Sequence, residues 1–147
     1  MLEHGFTLPY FVLIALCLGV VWLSIKRHRL TRLLFILIFL LAGLINIFIA
    51  FSRPEIYQYY GGMAIVDFYR EFIYGYFKQY TIQIVSVIGL GQIVIAVLLS
   101  TSGLLLKLGS IGGVIFFIAM APLGFGSAFP ATLFLALALV LMQYRLD

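Results

Sequence analysis

Five long apolar runs dominate this chain of 147 residues and limit the folds open to it. The runs cover about residues 8–25, 33–51, 81–99, 104–121 and 129–144. At a rise of about 1.5 Å per residue, roughly 20 helical residues cross the hydrocarbon core of a membrane. Hydrophobic residues make up 65% of the chain and charged residues only 10%, a balance that suits lipid rather than water. The sequence therefore predicts an all-α integral membrane bundle of about five transmembrane helices in a single domain, 1–147.

The placement of the cations predicts the orientation of this bundle. A cluster at 26–32 follows the first run, which is typical of a cytoplasmic loop and not of a nucleic-acid patch. With that loop inside, the cytoplasmic side carries Lys26, Arg27, Arg29, Arg32, Lys107 and Arg145. The outer side carries Arg53, Arg70 and Lys78. We expect a multi-pass protein of the cell membrane with its N-terminus outside and its C-terminus in the cytoplasm.

The segment 53–79 is too polar to be a span and is rich in tyrosine. Ser52 and Glu55 fit a capping box that would start a new helix, and Gly61-Gly62 would break it. A second short helix would place Asp67, Arg70, Glu71, Tyr74 and Lys78 on one face and Ile65, Phe68 and Phe72 on another. Tyrosine favours the boundary between acyl chains and headgroups. The segment is predicted to form helices that lie along the outer membrane interface.

Candidate binding residues are the polar side chains at membrane depth and those of the outer segment. They are Asn46, Arg53, Glu55, Asp67, Tyr69, Arg70, Glu71, Gln83 and Gln92. Amides such as Gln92 either join helices or contact a ligand. By depth, Gln92 should bond a carbonyl near Gly112, Gly113 or Ala136, where small residues allow close contact. Asp67 and Glu71, at positions i and i+4, could bind a cation or act as a carboxylate pair. Arg70 and Lys78 on the same face favour a solvated ion-pair stripe instead.

The sequence lacks the residues that several kinds of functional site require. The two histidines, His4 and His28, fall on opposite sides of the membrane, so they do not hold a haem together. Cys17 is the lone cysteine, which rules out an internal disulfide and leaves no zinc cluster. No Ser/His/Asp triad is visible. We therefore predict no catalytic residue, no metal site and no evident cofactor.

The chain resembles the DoxX-like family of small membrane proteins over about residues 33–144. The resemblance rests on 42–46 (Ala-Gly-Leu-Ile-Asn), Pro54-Glu55 with Tyr57, 67–70 (Asp-Phe-Tyr-Arg), 89–92 (Gly-Leu-Gly-Gln) and 121–124 (Ala-Pro-Leu-Gly). It implies a four-helix core, to which the run 8–25 adds an N-terminal helix. Family members often have an acid in place of Gln92, and some are similar to subunits of quinone-coupled sulfur oxidation.

The sequence favours a non-catalytic accessory or interaction subunit, with a groove for a lipid or a quinone between its helices. The alternative is a membrane subunit of a quinone-linked oxidoreductase that relies on the cofactors of a partner. The expected partners are membrane lipids and other membrane subunits or quinone. A small transporter is a third class, although no charge lies mid-span.

Overall fold

The computed structural model describes residues 8–58, 67–121 and 131–146, and within these ranges every long element is a helix. The elements are α1 (Leu8–Lys26), α2 (His28–Ser52), a 3₁₀ helix (Pro54–Gln58), α3 (Asp67–Phe72), a π-helical turn (Ile73–Phe77), α4 (Thr81–Leu99), α5 (Gly103–Met120) and α6 (Ala131–Leu146). The predicted all-helical bundle is confirmed over these residues. The Pro and Gly residues between the last two apolar runs predict a tight turn, but residues 122–130 lie outside the described residues.

The boundary between α1 and α2 differs from the prediction. A single non-helical residue, Arg27 (φ −137°, ψ 62°), separates the two helices, so the stretch 26–32 is not a loop. Arg32 instead lies on α2, and its Nε donates to the carbonyl of Leu99 at 2.6 Å. The last carbonyls of a helix lack intrahelical partners, so this guanidinium caps the C-terminus of α4.

The reversal between α4 and α5 depends on one glycine. Only residues 100–102 separate the two helices. Gly103 has a φ of +64°, in the left-handed region that glycine enters without a steric penalty. The chain can therefore turn back within a few residues and place α5 antiparallel to α4.

Four helices form the bundle, and α1 packs on its outside. α2 contacts α4 and α6, and α5 contacts both α4 and α6. α1 contacts α6 and α2. We call the end of the bundle where α2 begins and α4 ends the Arg32 end, and the opposite end, where α2 ends and α4 begins, the α3 end.

Two groups of buried apolar side chains stabilise the bundle. The larger consists of Phe35, Phe39, Ala96, Leu99, Leu106, Phe117, Ala136, Ala138, Leu139 and Met142. Its aromatic centre is Phe39, whose ring centroid lies 5.2 Å from that of Phe117 and 5.7 Å from that of Phe116. The smaller, at the α3 end, consists of Ala50, Tyr57, Ile73, Phe77 and Val85.

Glycines set how closely the helices approach each other. A Cβ on Gly43 would lie 2.6 Å from the carbonyl oxygen of Gly89, so α2 and α4 cross with their backbones in contact. A Cβ on Gly109 would lie 2.8 Å from Cβ of Leu98, which brings α5 equally close to α4. The small-residue contacts expected of helices in a membrane are therefore present at these crossings.

The outer surface of the described bundle is apolar along the length of its helices. Large exposed side chains include Leu44, Phe48, Val87, Leu90 and Ile115. Contiguous apolar surface of this extent is rare on proteins in water. Three of the described helices, α2, α4 and α5, are long and apolar enough to cross a membrane, whereas the apolar stretches Phe11–Lys26 and Ala131–Leu146 are shorter.

The segment after α2 is only partly as predicted. The capping box is wrong: the Ser52 hydroxyl donates back to the carbonyl of Phe48 at 2.7 Å, and Glu55 pairs with Arg53. Short helices do form at Pro54–Gln58 and Asp67–Phe72, while Gly61-Gly62 lies outside the described residues.

The second short helix packs on the bundle through the π-helical turn that follows it. Phe68 is 72% exposed, and the buried residues are Ile73 and Phe77. The π-helical turn widens the helix by one residue per turn at this point, which shifts the phase of the apolar face.

Candidate functional site

A cavity of about 510 Å³ lies within the α3 end of the bundle. Its walls come from α2, the 3₁₀ helix, α3 with its π-helical turn, α4, α5 and the start of α6. The lining residues are Asn46, Tyr57, Phe68, Tyr69, Phe72, Ile73, Phe77, Ile84, Val85, Ile88, Gln92, Phe116, Phe117, Met120 and Thr132. Apolar walls with a few polar groups, and a volume in this range, are typical of sites for small organic ligands.

A chain of hydrogen bonds between side chains runs along one wall of this cavity. The Tyr57 hydroxyl donates to Oδ1 of Asn46 at 2.8 Å. Nδ2 of Asn46 in turn donates to Oε1 of Gln92 at 2.7 Å. The chain therefore joins the 3₁₀ helix, α2 and α4 through three uncharged side chains. Gln92 is only 4% exposed, so the prediction that it faces the bundle interior is confirmed.

The partner of Gln92 is not the one expected from its depth. Its amide bonds the side chain of Asn46 on α2, and not a carbonyl near Gly112, Gly113 or Ala136. Gly112 instead faces Ile95. The cause is the direction of the side chains, since each leans towards the N-terminus of its own helix. In the antiparallel pair α2 and α4, Asn46 and Gln92 therefore lean towards each other.

The short helix α3 forms the wall of the cavity farthest from the Arg32 end. Tyr69 contributes a cavity-lining ring, and its hydroxyl donates to the carbonyl of Ala119 near the end of α5 at 2.9 Å. Ile73 and Phe77, in the π-helical turn, are buried against the bundle. π-helical turns are frequent at functional sites, because they redirect side chains that a regular helix would place elsewhere.

Two cavity-lining residues retain unused hydrogen-bonding groups. Gln92 uses only its carbonyl oxygen among the described contacts, which leaves Nε2–H available. The hydroxyl of Thr132 is buried and has no hydrogen-bond partner. Buried polar groups are nearly always paired in folded proteins, so the Thr132 hydroxyl and Nε2 of Gln92 are the wall groups that can bond a ligand.

Three of the nine predicted site residues meet at the cavity: Asn46, Tyr69 and Gln92. The others lie elsewhere on the described surface. Arg53 and Glu55 form an exposed ion pair with an N–O distance of 3.5 Å, and Asp67 and Arg70 form another at 3.3 Å. Such pairs contribute little to stability. Glu71 and Gln83 are also exposed.

Sequence reasoning missed Tyr57 and Thr132 as site residues. Tyr57 was one tyrosine among many in the outer segment, and only the path of the chain after Ser52 shows that it turns back to Asn46. Thr132 lies in a small-residue motif with Ala128 and Ala136, which predicts helix contact. The sequence feature that could have pointed to Thr132 is its hydroxyl group, which stands among apolar side chains in the first half of α6.

Comparisons of the chain with protein-family models, with curated proteins and with solved structures gave no match. The resemblance to the DoxX-like family therefore stays a prediction. Within the described residues, no group of three or more His, Cys, Asp or Glu side chains is placed to hold a metal ion.

Proposed function

We propose that this chain is a non-catalytic subunit of the cell membrane that binds a lipid or a quinone in the cavity at the α3 end. The observation that carries the proposal is the cavity itself, about 510 Å³ with predominantly apolar walls and one buried hydroxyl, that of Thr132, which lacks a partner. The cavity opens to the surface beside Phe68 and Phe72, which are 72% and 40% exposed, so an amphiphile can enter it from the surrounding lipid. Membrane amphiphiles are the ligands that such a bundle meets at the highest concentration.

The proposed arrangement has five transmembrane helices, α1, α2, α4, α5 and α6, with α3 lying along the outer interface. The apolar surfaces of the described helices support it. The number of cations near the two ends supports an outside N-terminus, because cytoplasmic ends are enriched in Lys and Arg.

In a Cys17→Ala background, Lys78→Cys should react with an impermeant maleimide on intact cells and Arg29→Cys should not. The reverse pattern would contradict this orientation.

A cavity-filling substitution tests the binding proposal directly. Ile88 lines the cavity, whereas its neighbour Val87 is 68% exposed on the other side of α4. Ile88→Phe should remove the bound amphiphile, and Val87→Phe, the matched control, should retain it. The measurement is mass spectrometry of the lipids and quinones that co-purify in mild detergent. Equal recovery from both variants and the parent would contradict the proposal.

The aromatic walls favour a second candidate, a membrane subunit of a quinone-linked oxidoreductase. Phe72, Phe77, Phe116 and Phe117 line the cavity, and flat rings pack well against such side chains. A subunit of this kind would use the redox cofactors of a partner. Co-purification with a haem-bearing or flavin-bearing protein favours it, and a lone colourless protein with bound lipid favours the first candidate. Membership of the DoxX-like family would agree with either.

A further inference from the structure

The walls of the cavity are polar in places but carry no charge among the described residues that line it. Asn46, Tyr57, Tyr69, Gln92 and Thr132 supply amide and hydroxyl groups only. The described cations and acids nearest in sequence, such as those of the Asp67–Arg70 pair, point to the exposed side of α3. A phosphate, carboxylate or ammonium group would therefore be buried here without a counter-charge, which is strongly unfavourable. The uncharged walls therefore favour a ligand whose buried group is neutral.

The hydrogen-bond chain fixes which kind of neutral group fits. The Tyr57 hydroxyl donates to Oδ1 of Asn46, so Nδ2 of Asn46 faces Gln92 and donates to its Oε1. This order leaves the donor Nε2–H of Gln92 unused. Thr132 supplies a second unused donor on α6, and its side chain is only 8% exposed. The free Nε2–H of Gln92 and the buried hydroxyl of Thr132 can both donate to an acceptor on the ligand.

We propose, on the basis of the proposed function, that the cavity selects neutral amphiphiles with a carbonyl oxygen, which accepts a hydrogen bond from Nε2 of Gln92. Thr132 is the second donor. The rest of the ligand packs against Phe116, Phe117 and Ile88. Two membrane components have this chemistry, neutral glycerolipids through their esters and isoprenoid quinones through their ring carbonyls. A free fatty acid, which is charged at neutral pH, is excluded.

Four probes with comparable apolar bodies separate these possibilities on the delipidated full-length protein. Dioctanoylglycerol and decylubiquinone carry neutral carbonyls, dodecane carries none, and dodecanoate at pH 8 carries a charge. Each is titrated at equal mole fractions in one detergent, and apparent affinity is taken from the rise of the unfolding midpoint. We expect the apparent affinity of the two carbonyl probes to be at least roughly five-fold higher than that of dodecane. This factor corresponds to the net contribution of about one hydrogen bond. Dodecanoate should bind more weakly than either.

Substitutions then assign the effect to the two donors. Gln92→Leu should weaken the carbonyl probes by roughly five- to ten-fold and leave dodecane unchanged. Gln83→Leu, the same change at an exposed position of the same helix, should alter neither. Should Gln92→Leu fail to fold, Thr132→Val carries the test, because its hydroxyl has no internal partner to lose. It should weaken the carbonyl probes by a few-fold.

The outcomes distinguish this inference from the proposed function. If dodecane and the carbonyl probes bind with equal affinity, and neither Gln92→Leu nor Thr132→Val changes that affinity, the selectivity for a carbonyl is wrong. The proposal of an apolar binding site would then still stand. If no probe binds, the proposed function fails as well. Tighter binding of dodecanoate than of the neutral probes would overturn the requirement for neutrality. Preference for dioctanoylglycerol over decylubiquinone, or the reverse, identifies the source of the carbonyl.

Discussion

The Arg32 end and the α3 end of this bundle use similar apolar residues but pack them differently. At the Arg32 end, Phe35, Leu99, Leu139 and Met142 are fully buried, and Arg32 caps α4. At the α3 end, the same four-helix bundle encloses a cavity and a chain of polar side chains. Helices in a membrane associate through close packing, because lipid is as apolar as their side chains. We therefore expect the close-packed end to supply most of the stability, whereas the α3 end, where we propose the binding site, has a cavity in place of close packing.

The largest effect is expected from disturbing the close-packed end at a glycine. Gly109→Val should cost about 3 kcal/mol, because a Cβ there meets Leu98 Cβ at 2.8 Å and the backbone nitrogen of Leu99 at 3.0 Å. Gly112→Val on the same helix should cost much less, since its nearest neighbour is Ile95 at 3.5 Å. Thermal unfolding of both variants in one detergent measures the difference. Equal loss in both would show that the α4–α5 contact is looser than described.

A second test compares a phenylalanine of the larger core, at the middle of α2, with a phenylalanine of the cavity wall. Phe39 is 1% exposed within the larger core, whereas Phe72 is 40% exposed on the cavity wall. Phe39→Ala should cost on the order of 2 kcal/mol from the void that it leaves, since transfer to lipid adds little. Phe72→Ala should cost less than half of that, because it only enlarges an existing space. Thermal unfolding again provides the measurement, and a larger loss for Phe72→Ala would reverse the comparison of the two ends.

Much of the close-packed end followed from sequence patterns. Apolar runs of the right length predicted helices that the structure places within a few residues, such as α4 at Thr81–Leu99. Small residues spaced four apart, Gly109 and Gly113, predicted close helix contact, and a Cβ on Gly113 would indeed lie 3.2 Å from Phe39. These patterns act locally, through the rise and period of a helix, so a single sequence contains them.

The α3 end was less predictable because it depends on how separate segments meet. The Asn46–Gln92 bond was missed because the depth of each residue was counted along its helix axis. That count neglects the tilt of side chains towards the N-terminus of their own helix, which runs in opposite directions on antiparallel helices. By that count the two residues differ by about 9 Å in depth. The position of Tyr57 depends on the chain reversing after Ser52, where the expected capping box does not form. The π-helical turn has no sequence signal that we recognise.

The hydrogen-bond chain of the α3 end should contribute only modestly to stability. Gln92→Leu should lower stability by roughly 0.5–2 kcal/mol, since measured hydrogen bonds between membrane helices fall in this range. Tyr57→Phe removes the hydroxyl that lies 2.8 Å from Oδ1 and 3.2 Å from the backbone carbonyl oxygen of Asn46, and its cost should fall in the same range. Gln83→Leu serves as the control, because Gln83 is exposed and off the cavity. If Gln92→Leu cost more than Gly109→Val, stability would reside at the α3 end and the comparison would fail.

The smallest expected change in stability comes from removing a single buried hydroxyl, and its dependence on ligand is specific to the cavity. Thr132 and Ser86 both carry buried hydroxyls without partners, but only Thr132 lines the cavity. In delipidated protein, Thr132→Val and Ser86→Ala should each raise stability, by a few tenths to about 1 kcal/mol, because an unpaired buried hydroxyl is removed. With a carbonyl-bearing ligand added, the Thr132 hydroxyl gains a partner, so Thr132→Val should then be less stable than the parent. Ser86→Ala should remain more stable than the parent both without and with the ligand. Parallel behaviour of the two variants would mean that the Thr132 hydroxyl never meets the ligand, and the polar part of the site would then consist of Gln92 alone.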